Sequence, residues 1–113
     1  MDGVFYQVKR NYTYSVSVTY CQIAGGYLAE FETQAELDAF KHLHPLGSGW
    51  ISGNDKLLEG TFVWNSGGEI PFPIIQAVKL SDRHIQDCLW YRDGTLRDSE
   101  CNRLRRFICK LQS

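Results

Sequence analysis

Apolar and polar positions change rhythm four times along this chain. Val4-Phe-Tyr-Gln-Val8 alternates and predicts a first strand. Asn11 to Thr13 then offers cap-forming side chains ahead of a segment from Tyr14 to Ala24 that stops at Gly25-Gly26. Within it Tyr14, Val18, Cys21 and Gly25 share one face at helical spacing, which predicts a helix despite its β-branched content. Tyr27–Phe31 reads as a short strand. Thr33-Gln-Ala-Glu36 is a capping box, in which the Thr33 hydroxyl accepts from the Glu36 amide and the Glu36 carboxylate reaches back to the cap. Leu37, Phe40 and Leu43 make the apolar stripe of this second helix, and Pro45 stops it.

Beyond Pro45 the helical period is lost. Trp50–Ser52, Thr61–Trp64, Cys88–Tyr91, Thr95–Arg97 and Arg106–Lys110 read as short strands, punctuated by Gly, Asn, Asp and Pro. Asp93-Gly94 between two of them is a hairpin signal. From Trp64 to Cys88 the chain shows little regular pattern and carries Gly67-Gly68, Pro71 and Pro73; such long loops are uncommon and often functional. There are no internal repeats and no low-complexity segments. The expected architecture is α+β: two helices, short antiparallel sheets and one irregular lobe.

Composition narrows this picture without redirecting it. A chain of 113 residues is one domain, 1–113, with 43% hydrophobic and 22% charged residues, both ordinary globular values. A formal net charge of -1 gives no reason to expect nucleic acid or an anionic membrane as partner. Apolar runs are only a few residues long, so no span of a bilayer is expected, and Met1-Asp-Gly-Val-Phe5 lacks the pattern of a signal peptide. Four cysteines suggest two disulfides, for which three connectivities exist. A zinc site would want close pairs such as Cys-x-x-Cys, and none is present. Disulfides imply an oxidising compartment, hence a secreted protein. Asn11-Tyr-Thr13 adds an N-glycosylation triplet, a weak signal alone.

Taken in order, the pieces resemble a C-type lectin-like domain from about Val4 to Lys110. Tyr14 and Cys21 match the family's aromatic and first cysteine. Leu28-Ala29, with Glu36, resembles its Leu-Ala and following Glu. Trp50-Ile-Ser-Gly53 is similar to its Trp-Ile-Gly strand and Phe62-Val-Trp64 to its Phe-x-Trp; Cys88, Cys101 and Phe107-Ile-Cys109 complete the framework. The resemblance implies bridges Cys21–Cys109 and Cys88–Cys101. It also implies a sugar site built around calcium, with Glu-Pro-Asn or Gln-Pro-Asp in the long loop, a Glu two before the second cysteine, and Trp-Asn-Asp before the third.

This chain departs from that ligand set. Its only prolines in the long loop lie in Ile70-Pro-Phe-Pro-Ile74, Gln86 stands for the Glu, and Leu96-Arg97-Asp98 stands for Trp-Asn-Asp. A guanidinium has no acceptor lone pair and cannot ligate a cation. Calcium, and any other metal or cofactor, is therefore not expected.

Without the ion, recognition of a sugar falls to direct hydrogen bonds. Candidate ligand-binding residues are Asp82, Arg83, His84 and Gln86 at the end of the long loop, with Arg97 and Asp98 projecting from the strand across from it. Trp90, Tyr91 or His84 could offer an aromatic face to the ring. The bland reading is a solvated loop with surface ion pairs, and an arginine that merely fills an abandoned metal site. The Arg103, Arg105 and Arg106 cluster reads as a solvated face first and an anion site second. His42 and His44 are two apart on a helix, which argues against a metal pair. There is no Gly-rich phosphate loop, nucleophile elbow or His-Glu-x-x-His, so no enzyme is expected. The expectation is a secreted lectin for a monosaccharide, N-acetylated or galactose-type, on a free or glycoprotein glycan; the alternative is a protein-binding lectin-like module. No heptads are present and all four cysteines are allotted, so a homo- or heterodimer would be non-covalent.

Overall fold

The computed structural model describes residues 4–80 and 87–111. Strand β1 (Val4–Tyr12) leads into helix α1 (Tyr14–Ile23), strand β2 (Gly26–Leu28) and helix α2 (Gln34–Leu43). Strands β3 (Ser48–Leu58) and β4 (Thr61–Val63) follow, then a short helix α3 (Phe72–Gln76), and then β5 (Asp87–Arg92), β6 (Thr95–Glu100) and β7 (Arg105–Leu111). The sheet runs β1-β7-β3-β5-β6, with β2 also on β7 and β4 also on β3. It is an α+β fold, as expected. Its pairing is mixed, because β3 runs parallel to β7 at Trp50 and Phe107, and Lys79 bridges in parallel to Arg97.

Local chemistry accounts for the helix ends. The Thr13 hydroxyl accepts from the Val16 amide at 3.4 Å to start α1. At α2 the Thr33 hydroxyl accepts from the Glu36 amide at 3.0 Å, as the capping box predicts. The return bond differs from expectation. Glu36 Oε1 accepts from the Glu32 amide at 2.8 Å, one residue before the cap, because Oε2 is held by Lys110 Nζ at 2.9 Å. Helix α3 was not anticipated: at five residues it is too short to show a period, and Pro71 and Pro73 mark its first turn.

Two apolar layers flank the sheet. Phe31, Leu37, Phe40, Ile51, Leu89 and Tyr91 pack on the α2 side; Tyr14, Cys21, Trp50, Cys88, Phe107 and Cys109 pack on the α1 side. Trp50, Trp64 and Phe107 are thus core aromatics. The Tyr14 hydroxyl ties α1 to β3 by accepting from the Gly53 amide at 3.1 Å and Asn54 Nδ2 at 3.3 Å. The disulfides are Cys21–Cys109 and Cys88–Cys101, the pairing that the family resemblance implied. The first pins α1 to β7; the second pins the start of β5 to the chain just after β6.

Candidate functional site

The β5–β6 hairpin organises the surface where the sequence placed its site. Asp93 (φ 45°) and Gly94 (φ 88°) both adopt the left-handed region, the conformation that a tight two-residue hairpin turn requires. The turn fixes an unbroken register from Asp87 opposite Glu100 to Arg92 opposite Thr95. Successive side chains on a strand point to opposite faces. Asp87, Leu89, Tyr91, Leu96, Asp98 and Glu100 therefore share one face, and Cys88, Trp90, Arg92, Arg97 and Ser99 share the other.

Lys79, in the long loop, lies along β6. Lys79 receives the Asp98 amide at its carbonyl at 3.4 Å and donates its own amide to Leu96 O at 2.9 Å. Beside this seam the buried Asp87 carboxyl faces Asp98. Its pKa is pushed up to about 7, first by burial, then by the hydrogen bond and charge of Asp98, and further by the charges of Asp55 and Glu100. Asp55 is committed to the backbone: Oδ1 accepts from the Asp87 amide at 2.8 Å and Oδ2 from the Gly60 amide at 3.0 Å.

The opposite face is cationic and aromatic. The Arg105 guanidinium sits 3.6 Å from the Trp90 ring centroid and 5.3 Å from that of Trp50, and its Nη2 donates to Ser99 Oγ at 2.8 Å. Burial and the charges of Arg103 and Arg92 all lower its pKa.

Several expectations are therefore corrected. Arg97 and Asp98 do not project together; strand alternation sends Arg97 to the Trp90 face and Asp98 to the Asp87 face. Tyr91 is fully buried, with its hydroxyl donating to His44 O at 2.7 Å, so it offers no ring to a ligand. Trp90 already carries Arg105 on its ring. Arg105 is part of that stack and half-buried, unlike exposed Arg103 and Arg106. Asp82, Arg83, His84 and Gln86 lie outside the described residues. Asp87, whose carboxyl hydrogen-bonds Asp98, was missed as a site residue. The parity of positions either side of Asp93-Gly94 was the available signal.

Calcium takes six to eight oxygens. Arg97 faces away, and both Asp55 oxygens already hold amides. Among the described residues no group of three or more His, Cys, Asp or Glu could hold a metal ion.

The C-type lectin domain family model matches residues 10–111, and the chain belongs to that family. It is 29% identical over 109 residues to Lectin BRA-3 of the barnacle Megabalanus rosa, covering 88% of this chain and 67% of that protein. It is 32% identical over 99 residues to C-type lectin 37Db of Drosophila melanogaster, covering 81% of this chain and 66% of that protein. The chain thus spans about two thirds of the length of these curated relatives. Among solved structures, the tunicate C-type lectin TC14 from Polyandrocarpa misakiensis superposes with a TM-score of 0.77 at 21% identity, over 99% of both chains. A calcium-independent type II antifreeze protein superposes with a TM-score of 0.74 at 20% identity, over 97% of this chain and 86% of that one. A lectin domain that binds carbohydrate is the general function this family assigns. Among the described residues no helix is long and apolar enough to cross a membrane.

Proposed function

We propose that this domain is a secreted lectin that binds a single sugar unit, N-acetylated or galactose-type, by direct hydrogen bonds and without calcium. The observation that carries this reading is the Asp87–Asp98 carboxyl pair at the seam between the long loop and β6. Asp98, partly exposed, can accept a sugar hydroxyl, and the hydrogen bond it shares with buried Asp87 holds it in place to do so. Lys79, exposed on the same seam, is available as a cationic donor. Asp82, Arg83, His84 and Gln86 would complete the site from the loop. The fold itself is compatible with life without the ion, since one solved neighbour is described as calcium-independent.

One such site binds weakly, and a non-covalent dimer would supply strength by multivalency. A glycan array read in calcium and again in EDTA tests the proposal. We expect the same monosaccharide-terminated glycans to be retained in both, and Asp98→Asn to weaken them about tenfold while leaving the melting temperature within a few degrees. Signal that vanishes in EDTA and returns with calcium would overturn the calcium-free mechanism. An array silent in both conditions would favour the protein-binding alternative.

A further inference from the structure

Four arginines gather on the face of the hairpin that points away from Asp98. Arg92 and Arg97 come from β5 and β6, Arg105 from the start of β7, and Arg103 from the turn before it. That Arg105 feels Arg92 and Arg103 as repelling charges places all three together. Among the described residues none of the four is paired with a carboxylate; the ion pair Lys110–Glu36 is elsewhere, on the α2 side. The acidic residues of its two strands (Asp87, Asp98 and Glu100) occupy the other face by alternation. A nearly neutral molecule has thus separated its charges across one two-stranded ribbon.

The cationic face is also pre-built. Arg105 is clamped on Trp90 at 3.6 Å and fixed at one end by Ser99, so its planar fork is held in one orientation. Three donors in this same patch, Trp90 Nε1, Arg97 Nε and Arg105 Nε, are buried without a hydrogen-bond partner. Buried donors are normally satisfied, and these three leave unbalanced positive potential beneath the cationic patch. A guanidinium fork matches the planar spread of oxygens on sulfate or carboxylate.

We propose that this face is a second binding site, for an acidic glycan bearing sulfate or carboxylate groups. Arg105 supplies the oriented contact, and Arg92, Arg97 and Arg103 supply the surrounding field. The site is distinct from the Asp98 seam and does not depend on it. Two places on opposite faces of one hairpin would let a single domain engage a neutral sugar terminus and an acidic chain together.

The test is binding of the intact chain to immobilised heparin, to the carboxylated polysaccharide hyaluronan and to uncharged dextran at about 0.15 M salt, where long-range attraction is screened. We expect retention on heparin, on hyaluronan or on both, none on dextran, and loss of binding as salt rises. The two arms show which anion is preferred. The exposed double reversal Arg92→Glu with Arg103→Glu should weaken binding roughly tenfold or more without unfolding the domain. Arg105→Lys keeps the charge but loses the fork, and should weaken binding several-fold. Asp98→Asn should leave acidic-glycan binding intact, so failure at one site is separable from failure at the other. No retention on either acidic polymer, or equal retention by the double reversal, would overturn the proposal.

Discussion

Asp87 precedes Cys88 and donates its amide to Asp55, so the disulfide and the β3 loop both hold its carboxyl in place beside Asp98. Its folded pKa, about 7, is above the ordinary 3.8 because burial, then Asp98, disfavour the ionised form. A raised acid pKa means that the native state binds more protons than the unfolded state between those values. The contribution of Asp87 to stability is therefore most favourable at and below the ordinary value of 3.8, falls as pH rises from there towards about 7, and is level above that. Asp87→Asn should remove this slope. The stability difference between variant and wild type, from urea melts at several pH values, should grow in the variant's favour by on the order of a few kcal/mol from pH 4 to pH 8. A difference that is flat with pH would mean that Asp87 titrates normally. The same proton is shared with Asp98, the carboxyl assigned to sugar hydroxyls, so affinity is expected to change over the same interval.

At the scale of elements, legibility followed periodicity. Helix α2 was readable because its stripe and its Thr33–Glu36 box lie within a few residues of each other, and α3 was not, because one turn between prolines carries no period. Strand β3 was read as three residues and spans eleven, since polar Asn54 and Asp55 sit inside it and are buried for their side-chain hydrogen bonds. The partner of Glu36 was equally hidden, because Lys110 is 74 positions away. Lys110 and Glu36 are both buried, and this contact fastens α2 to β7. Burial opposes the charge on Lys110, yet the hydrogen bond and charge of Glu36 help leave its pKa raised. Lys110→Met strands a buried carboxylate and should cost about 3–5 kcal/mol, whereas Lys110→Met with Glu36→Met leaves no buried charge, gives up only the Glu32 amide bond, and should recover much of that loss. Denaturant titration of wild type, single and double variants checks this. A double variant as unstable as the single one would show that the pair contributes through packing alone.

For the whole molecule, the fold was legible and the site was only half so. Cysteines, tryptophans and the capping box occur in a fixed order along the chain, and order survives in a sequence. Which face a residue occupies depends on register, and this separated Arg97 from Asp98 although they are neighbours. The two bridges divide their work in the same way. Cys21–Cys109 spans 88 positions and joins α1 to β7, while Cys88–Cys101 spans 13 and closes the hairpin that carries both proposed faces. Loop-closure entropy makes the long bridge worth about 4–5 kcal/mol and the short one about 3. Replacing Cys21 and Cys109 by Ala should therefore lower the melting temperature more, yet the fraction still folded should bind glycan with nearly unchanged affinity. Replacing Cys88 and Cys101 should melt the domain less and weaken binding more, because Asp87 adjoins Cys88 in β5 and Trp90 lies two residues beyond it. Thermal melts paired with binding measured well below each midpoint would show this crossed ordering. If affinity tracks melting temperature across both variants, the hairpin is held by the fold as a whole and the short bridge has no special part in either site.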